Sequence, residues 1–273
     1  MANITASDVN KLRQMTGVGM MDCKKALQEC DGDFEKAVDY LRQKGQKLAA
    51  KRADREANEG VVLAKTTGKL GAAIMVSCET DFVAKNEDFI SFTRSILDSA
   101  LANGLKTVDQ VLEMDMNGRK VADLIIDQVG KIGEKIELAH YESVEAETVY
   151  AYIHPGNRLA TVVGFSKAGH DEVGKEIAMQ IAAMAPVALD QSSVSADVIE
   201  RELDVYRAQV REEGKPENMV EQIATGKLNK FFKESTLLNQ DFIKDSKKSV
   251  KQYLSEVDKD LTITAFKRVA LGS

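Results

Sequence analysis

"VVLAKTTGKLGAAIMVSCETDFVAKN", residues 61–86, decides the fold. Two runs rich in Val, Ile, Leu and Ala flank a Thr-Gly-Lys turn, the pattern of an antiparallel hairpin. The chain then turns at Glu79-Thr80-Asp81-Phe82. Beyond it Phe89, Phe92, Ile96, Leu97, Ala100 and Leu101 recur at three-and-four spacing, which predicts an amphipathic helix. The order returns at VYAYIHP (149–155), a Gly-Asn turn, LATVVGFS (159–166) and a helix carrying Val173, Ile177, Ile181, Ala182 and Met184. This repetition implies an internal duplication, with an α+β fold. A terminal LTITAFKRVAL (261–271) alternates and is β-branched, so it reads as a last strand completing the second half's sheet.

Upstream, residues 5–45 read as three short helices. Thr5 or Ser7 begins the first, Gly17-Val18-Gly19 separates it from the second, Asp31-Gly32-Asp33 introduces the third, and Gly45 stops it. Val9, Leu12, Leu27, Val38 and Leu41 can share a small core, so this unit reads as a docking module. KGQKLAAKRADREANEG (44–60) comes next as an exposed helical linker, its lysines and arginines on a solvated face. Between residues 196 and 235, Ile199, Leu203, Tyr206 and Val210 make one narrow seam. Gly214-Lys215-Pro216 interrupts it, and Met219, Val220, Ile223 and Ala224 resume it, which predicts a helical hairpin projecting from the body, its seam packed either on itself or on the body. SKKSVKQYLSEV (246–257) reads as helical. The units are then 1–55, 56–145 and 146–273.

The 273 residues are 44% hydrophobic, enough for a real core, and carry a net charge of −6, which disfavours wholesale binding of nucleic acid. Three cysteines, Cys23, Cys30 and Cys78, sit among aliphatic residues and suit a reducing compartment. MANITASDVNKL has neither a basic n-region nor an apolar h-region, and no stretch approaches the ~18 apolar residues of a spanning helix. The expectation is a cytoplasmic protein that does not enter a membrane.

Chemistry is sparse. Gly169-His170-Asp171-Glu172-Val173-Gly174-Lys175-Glu176 satisfies the glycines and lysine of a phosphate loop. Glu176, however, stands where a hydroxyl would bind Mg²⁺, so the match reads as chance at a turn. His140, His154 and His170 have no metal-ligand spacing, and Cys78 ends an apolar run that points it inward. No enzyme is expected, and no metal or cofactor site. At the corner itself, Thr80 or Asp81 caps the helix, and Phe82 either starts its buried stripe or stands exposed. The second copy has Lys167-Ala168-Gly169-His170 there, so the scaffold does not demand Asp-Phe.

LRQMTGVGMMDCKKAL (12–27) and CETDFVAKN (78–86) resemble the two signature segments of the bacterial translation elongation factor Ts family. KEIAMQIAA (175–183), the hairpin pair and GKLNKFFKE (226–234) fall in that family's order. The resemblance implies an N-terminal domain of ubiquitin-associated type, and a GTPase partner, elongation factor Tu, whose release of GDP is promoted. It implies that Thr80, Asp81, Phe82 and Val83 dislodge the partner's Mg²⁺, and that Leu12, Met20 and Met21 pack on the partner's nucleotide domain. Consecutive helical residues diverge, so one of the two methionines is expected to be structural. His154 and Arg158, flanking an exposed turn, are candidates for a second contact, in a 1:1 or a 2:2 complex. A competing reading is an adaptor whose three-helix head recognises a ubiquitin-like or other helical partner.

Overall fold

Thr5 opens the first helix through a capping box: its hydroxyl accepts from the Asp8 amide, and the Asp8 carboxylate accepts from the Thr5 amide at 3.0 Å. The computed structural model describes residues 4–272. Helices α1 (Ala6–Thr16), α2 (Met20–Glu29) and α3 (Phe34–Arg52) close on Val9, Leu12, Cys23, Ala26, Leu27, Ala37 and Leu41. Gly17 caps α1 in the left-handed region, φ +69°, which only glycine adopts freely.

Gly45 does not stop α3, contrary to the sequence reading. The helix runs on to Arg52, so much of the supposed exposed linker belongs to it. The reason lies elsewhere in the chain. Helix α7 (Val121–Ile132) crosses α3 so closely that a Cβ on Gly130 would lie 3.2 Å from the Gly45 Cα. Glycine inside a helix costs about 1 kcal/mol relative to alanine, and here it permits two backbones to touch. Gly130→Val should therefore force the helices apart and destabilise the chain by about 1–3 kcal/mol, read from the denaturant midpoint. An unchanged midpoint would mean the crossing contributes nothing.

The first sheet has the order β1 (Glu59–Thr66), β2 (Leu70–Cys78), β3 (Glu137–Glu145), all antiparallel. Between β2 and β3 run α4 (Asp81–Ala84), α5 (Glu87–Ala102), α6 (Val108–Glu113) and α7. The second sheet has the order β4 (Thr148–Ile153), β5 (Leu159–Phe165), β8 (Ile263–Ala270), with α8 (Asp171–Met184) following β5. Each half is thus a hairpin, a helix and a third strand beside the hairpin's second, so LTITAFKRVAL does complete the second sheet.

Strand β2 is buried almost throughout because both its faces are covered. Ile74 and Val76 join Val61, Leu63, Phe89, Ile96 and Leu97 in one core. Ala73 and Met75 meet Val62, Ala160 and Val269 in another, where the two sheets touch. A strand covered on both sides reads as a continuous apolar run rather than an alternating one, as LGAAIMVSC does.

Helices α9 (Ala196–Glu212) and α10 (Glu217–Ser235) form the expected hairpin, with Gly214 in the left-handed region and Pro216 capping α10. Ile199, Leu203 and Tyr206 pack with Leu228 and Phe232, so the predicted seam faces the partner helix. Arg207 of α9 ties the pair through Glu221 of α10, while also pairing with Glu200 and Asp204 on its own helix. Residues 246–249 are not helical as expected. β7 (Asp245–Ser249) pairs with β6 (Asp241–Phe242), and α11 (Val250–Val257) starts only where Ser249 and Gln252 make a capping box. Met184, named in the sequence with Val173, Ile177, Ile181 and Ala182 of α8, is exposed where those four are buried. Among the described residues no helix is long and apolar enough to cross a membrane.

Candidate functional site

Strand β2 ends at Cys78 and hands the chain to the corner. Cys78 is buried, and its Sγ donates to the Thr80 carbonyl at 3.2 Å. Burial, reinforced by the Glu134 carboxylate, pushes the thiol up to about 12, so it stays protonated at neutral pH and is no nucleophile.

Two carboxylates brace the turn beyond Cys78. Glu79 accepts from the Lys135 amide at 2.6 Å, from Arg52 Nη1 at 2.6 Å and from Arg55 Nη1 at 3.1 Å. Glu134 accepts from the Glu79 and Thr80 amides, both at 3.0 Å, and from the Thr80 hydroxyl at 2.6 Å. The Thr80 oxygen in turn accepts from the Val83 amide and so caps α4. Arg52 and Arg55, assigned to a solvated face in the sequence, instead join the end of the three-helix unit to this corner.

Burial alone would raise the Glu79 carboxyl. The Lys135 amide and the two guanidinium groups outweigh it and hold the carboxyl below its ordinary 4.5. The folded chain therefore binds this proton less tightly than the unfolded one. The resulting stabilisation is complete above the ordinary carboxylate value and is lost as pH falls through the lowered one. Glu79→Gln should be less stable than the parent at pH 7, and the gap should close as pH falls below the ordinary carboxylate value, as denaturant midpoints measured across the acid range will show. A gap independent of pH would mean that the charge of Glu79 does not hold the corner.

Phe82 stands outside this bracing, 83% exposed. It borders a shallow groove shared with Val83, Phe89, Gln128, Lys131 and Ile132. Val83 packs against the core of the first half. Asp81 accepts from Lys85 at 2.6 Å one turn on, and this hydrogen bond holds its carboxyl below the usual range. The corner thus displays a ring and a carboxylate on a turn that cannot easily rotate.

The other sequence candidates fall in three places. Leu12 is fully buried in the three-helix core, which corrects its reading as a partner contact: the α1 stripe that includes Val9 points inward. Met20 and Met21 are both exposed, 53% and 75%, so neither is structural. They form the first turn of α2, ahead of Cys23, Ala26 and Leu27, where the helix first meets its neighbours. Met15, at 60%, is a third exposed methionine of this unit and was missed, although QMTGVGMM carries the signal. Lys131 connects the two regions. Its aliphatic chain sits where a Cβ on Gly17 would be, and it also lines the groove beside Phe82.

His154 and Arg158 lie at the tip of the second hairpin, which folds back on the first half. The Val62 amide donates to the Asn157 carbonyl at 2.7 Å, and Arg158 pairs with Glu59 through both guanidinium nitrogens. Donating to Glu59 raises the Arg158 pKa, and because Glu59 is the cross-strand partner of Cys78 this ion pair holds the tip near the corner. His154 is exposed and its Nδ1 lies 3.0 Å from the Tyr152 hydroxyl.

The phosphate-loop match is dismantled by packing. Residues 171–176 lie inside α8, a Cβ on Gly174 would strike the Tyr150 ring, and Glu176 pairs with Lys244 while accepting from Tyr253. Both glycine and acid answer structural needs. Sequence reasoning also missed Glu134 and Lys135, which nothing local to GEK distinguishes from surface charge.

The family model described as Elongation factor TS matches residues 79–273. The protein named Elongation factor Ts in Christiangramia forsetii is 50% identical over 276 residues, covering 100% of both chains. Its namesake in Flavobacterium psychrophilum is likewise 50% identical with 100% coverage of both. That of Porphyromonas gingivalis is 47% identical over 271 residues, 99% of each chain.

Proposed function

The chain belongs to the elongation factor Ts family, and we propose that it acts as a guanine-nucleotide exchange factor on elongation factor Tu, speeding the release of GDP. The observation that carries this reading is Phe82, an exposed aromatic ring on a turn held by two carboxylates. In the proposed mechanism the ring enters the partner near its phosphate loop and displaces the groups that organise Mg²⁺. Asp81 brings a carboxylate among groups arranged around a cation. Loss of the ion leaves the diphosphate charge poorly neutralised, and GDP departs.

Magnitudes favour a wedge over surface charge. Nanomolar nucleotide binding corresponds to about −12 kcal/mol, so useful exchange must weaken it by several kcal/mol. Exposed ion pairs contribute about 0–1 kcal/mol each, whereas a buried aromatic anchor contributes about 2 kcal/mol or more. The coupling is mutual: the factor weakens GDP, and nucleotide with Mg²⁺ weakens the factor. Met15, Met20 and Met21 supply an adaptable apolar surface for the partner's nucleotide domain, and His154 with Arg158 a further contact. The chain itself makes and breaks no bond and needs no cofactor, and its place of work is the cytoplasm.

Release of fluorescent GDP from elongation factor Tu in Mg²⁺ buffer tests the reading. The purified chain should accelerate it by on the order of 100-fold or more, equivalent to about 3 kcal/mol. No acceleration would leave the adaptor reading, in which the three-helix head binds a helical partner and the sheets only support it.

A further inference from the structure

We infer that Glu134 is the positioning residue of the exchange corner, a carboxylate that fixes the direction of Phe82 without touching the partner. The inference rests on the exchange reading for its kinetic consequence and on geometry alone for its structural one. Helix α7 ends at Ile132, and Gly133 caps it in the left-handed region, φ +84°. That cap turns the chain so that Glu134 lies beneath the corner before β3 begins at Glu137. There it receives three donors from two successive residues, the Glu79 and Thr80 amides and the Thr80 hydroxyl, at 2.6–3.0 Å. All three precede Phe82 by two or three positions, and a carboxylate bonding backbone and side chain together fixes both.

Bracing of this kind matters because a four-residue helix has little stability of its own. α4 has no fully buried residue, and only Val83 and Ala84 rest on the core of the first half, so packing alone gives it a weak hold. A wedge that must enter a pocket at one angle loses force if its base swings, since small displacements of a working group cost large factors in rate. The N-terminal unit is tied to the same place, since Arg52 and Arg55 grip Glu79 while Lys135, next in sequence to Glu134, donates its amide to the same carboxylate. The loop at 134–135 is therefore where α7, the three-helix unit and the corner meet.

The test uses the full chain and two readouts. The sequence has no tryptophan, so Phe82→Trp places a single indole at the tip. In that background Glu134→Ala should lower the indole's fluorescence anisotropy in the free protein. In the Phe82 parent, Glu134→Ala should reduce the maximal rate of stimulated GDP release about tenfold with little change in the factor concentration giving half-maximal rate. In a Phe82→Ala background it should reduce the rate no further, because a residue acting only through Phe82 has nothing left to position.

Unchanged anisotropy, or an equal loss of rate in both backgrounds, would overturn the inference. If Glu134→Ala does not fold, Glu134→Asp, which withdraws the carboxylate by one methylene, should show the same changes in smaller degree, and parental values for it would overturn the inference equally. A parent chain that fails to stimulate release while the anisotropy still falls would refute the exchange reading and leave the positioning role standing.

Discussion

Replacing Phe82 with alanine is expected to slow stimulated GDP release about 30-fold, the equivalent of about 2 kcal/mol, the threshold at which a truncated contact counts as an interface hot spot. The same substitution should leave thermal stability nearly unchanged, within about 0.5 kcal/mol, because a ring that is 83% exposed makes few contacts in its own chain. Stimulated release in Mg²⁺ buffer and a thermal melt on the same preparation check both parts. A loss of several kcal/mol in stability would show that Phe82 holds its own domain together, and an undiminished rate would show that the ring is not the wedge. Asp81 offers no substitute, since its carboxylate is already satisfied by Lys85 and lies in water.

Phe89→Ala should do the reverse. This ring, seven residues further on, is 1% exposed and packs among Val61, Ile74, Val76 and Ile96 in the core of the first half. Truncation leaves a cavity and should cost about 3–5 kcal/mol, lowering the melting midpoint by on the order of 10 °C. At temperatures well below that midpoint the variant should still stimulate release to within a few-fold, because the corner is held by hydrogen bonds to Glu134 and Lys135 rather than by the Phe89 ring. The two phenylalanines thus separate stability from exchange. If Phe89→Ala melted like the parent, the first half's core would not be built around the α5 stripe.

Where the fold was legible in the sequence, one element's own pattern carried the information. The α5 stripe, the β1–β2 turn, the seam of α9 and the alternation of β8 all declare themselves within a dozen residues. Strand β3 does not. A bulge opposite Met75 and Val76 puts Leu138 and Tyr141 on the same face, and Val144 is buried on the other face against the second sheet, so the buried residues fall at a spacing of three that mimics a helix. Gly45 reads as a stop from its neighbours alone, and only Gly130, 85 positions away in the chain, explains why the helix passes through it.

The candidate site divides along the same line. The corner was legible because the two copies could be compared, and the second lacks Asp-Phe. Leu12 illustrates the opposite case: its spacing with Val9 marked it as core, the family resemblance suggested a contact, and the packing sides with the spacing. Met20 and Met21 are both exposed although consecutive helical residues diverge, because the buried contacts of α2 begin only at Cys23. Glu134 carries no local signature, since its role exists only once α7 has been capped by Gly133 and folded beneath Thr80.

If the Phe82 ring acts on the partner's Mg²⁺, its effect on release must depend on that ion. Stimulated GDP release from elongation factor Tu is measured at saturating parent chain and at saturating Phe82→Ala variant, first in Mg²⁺ buffer and then with the ion removed by chelation. A rate ratio of about 30 is expected with Mg²⁺, collapsing toward one without it, because a wedge has no work to do where the ion is already gone. A ratio that stays near 30 in the absence of Mg²⁺ would contradict an action of the ring on the ion.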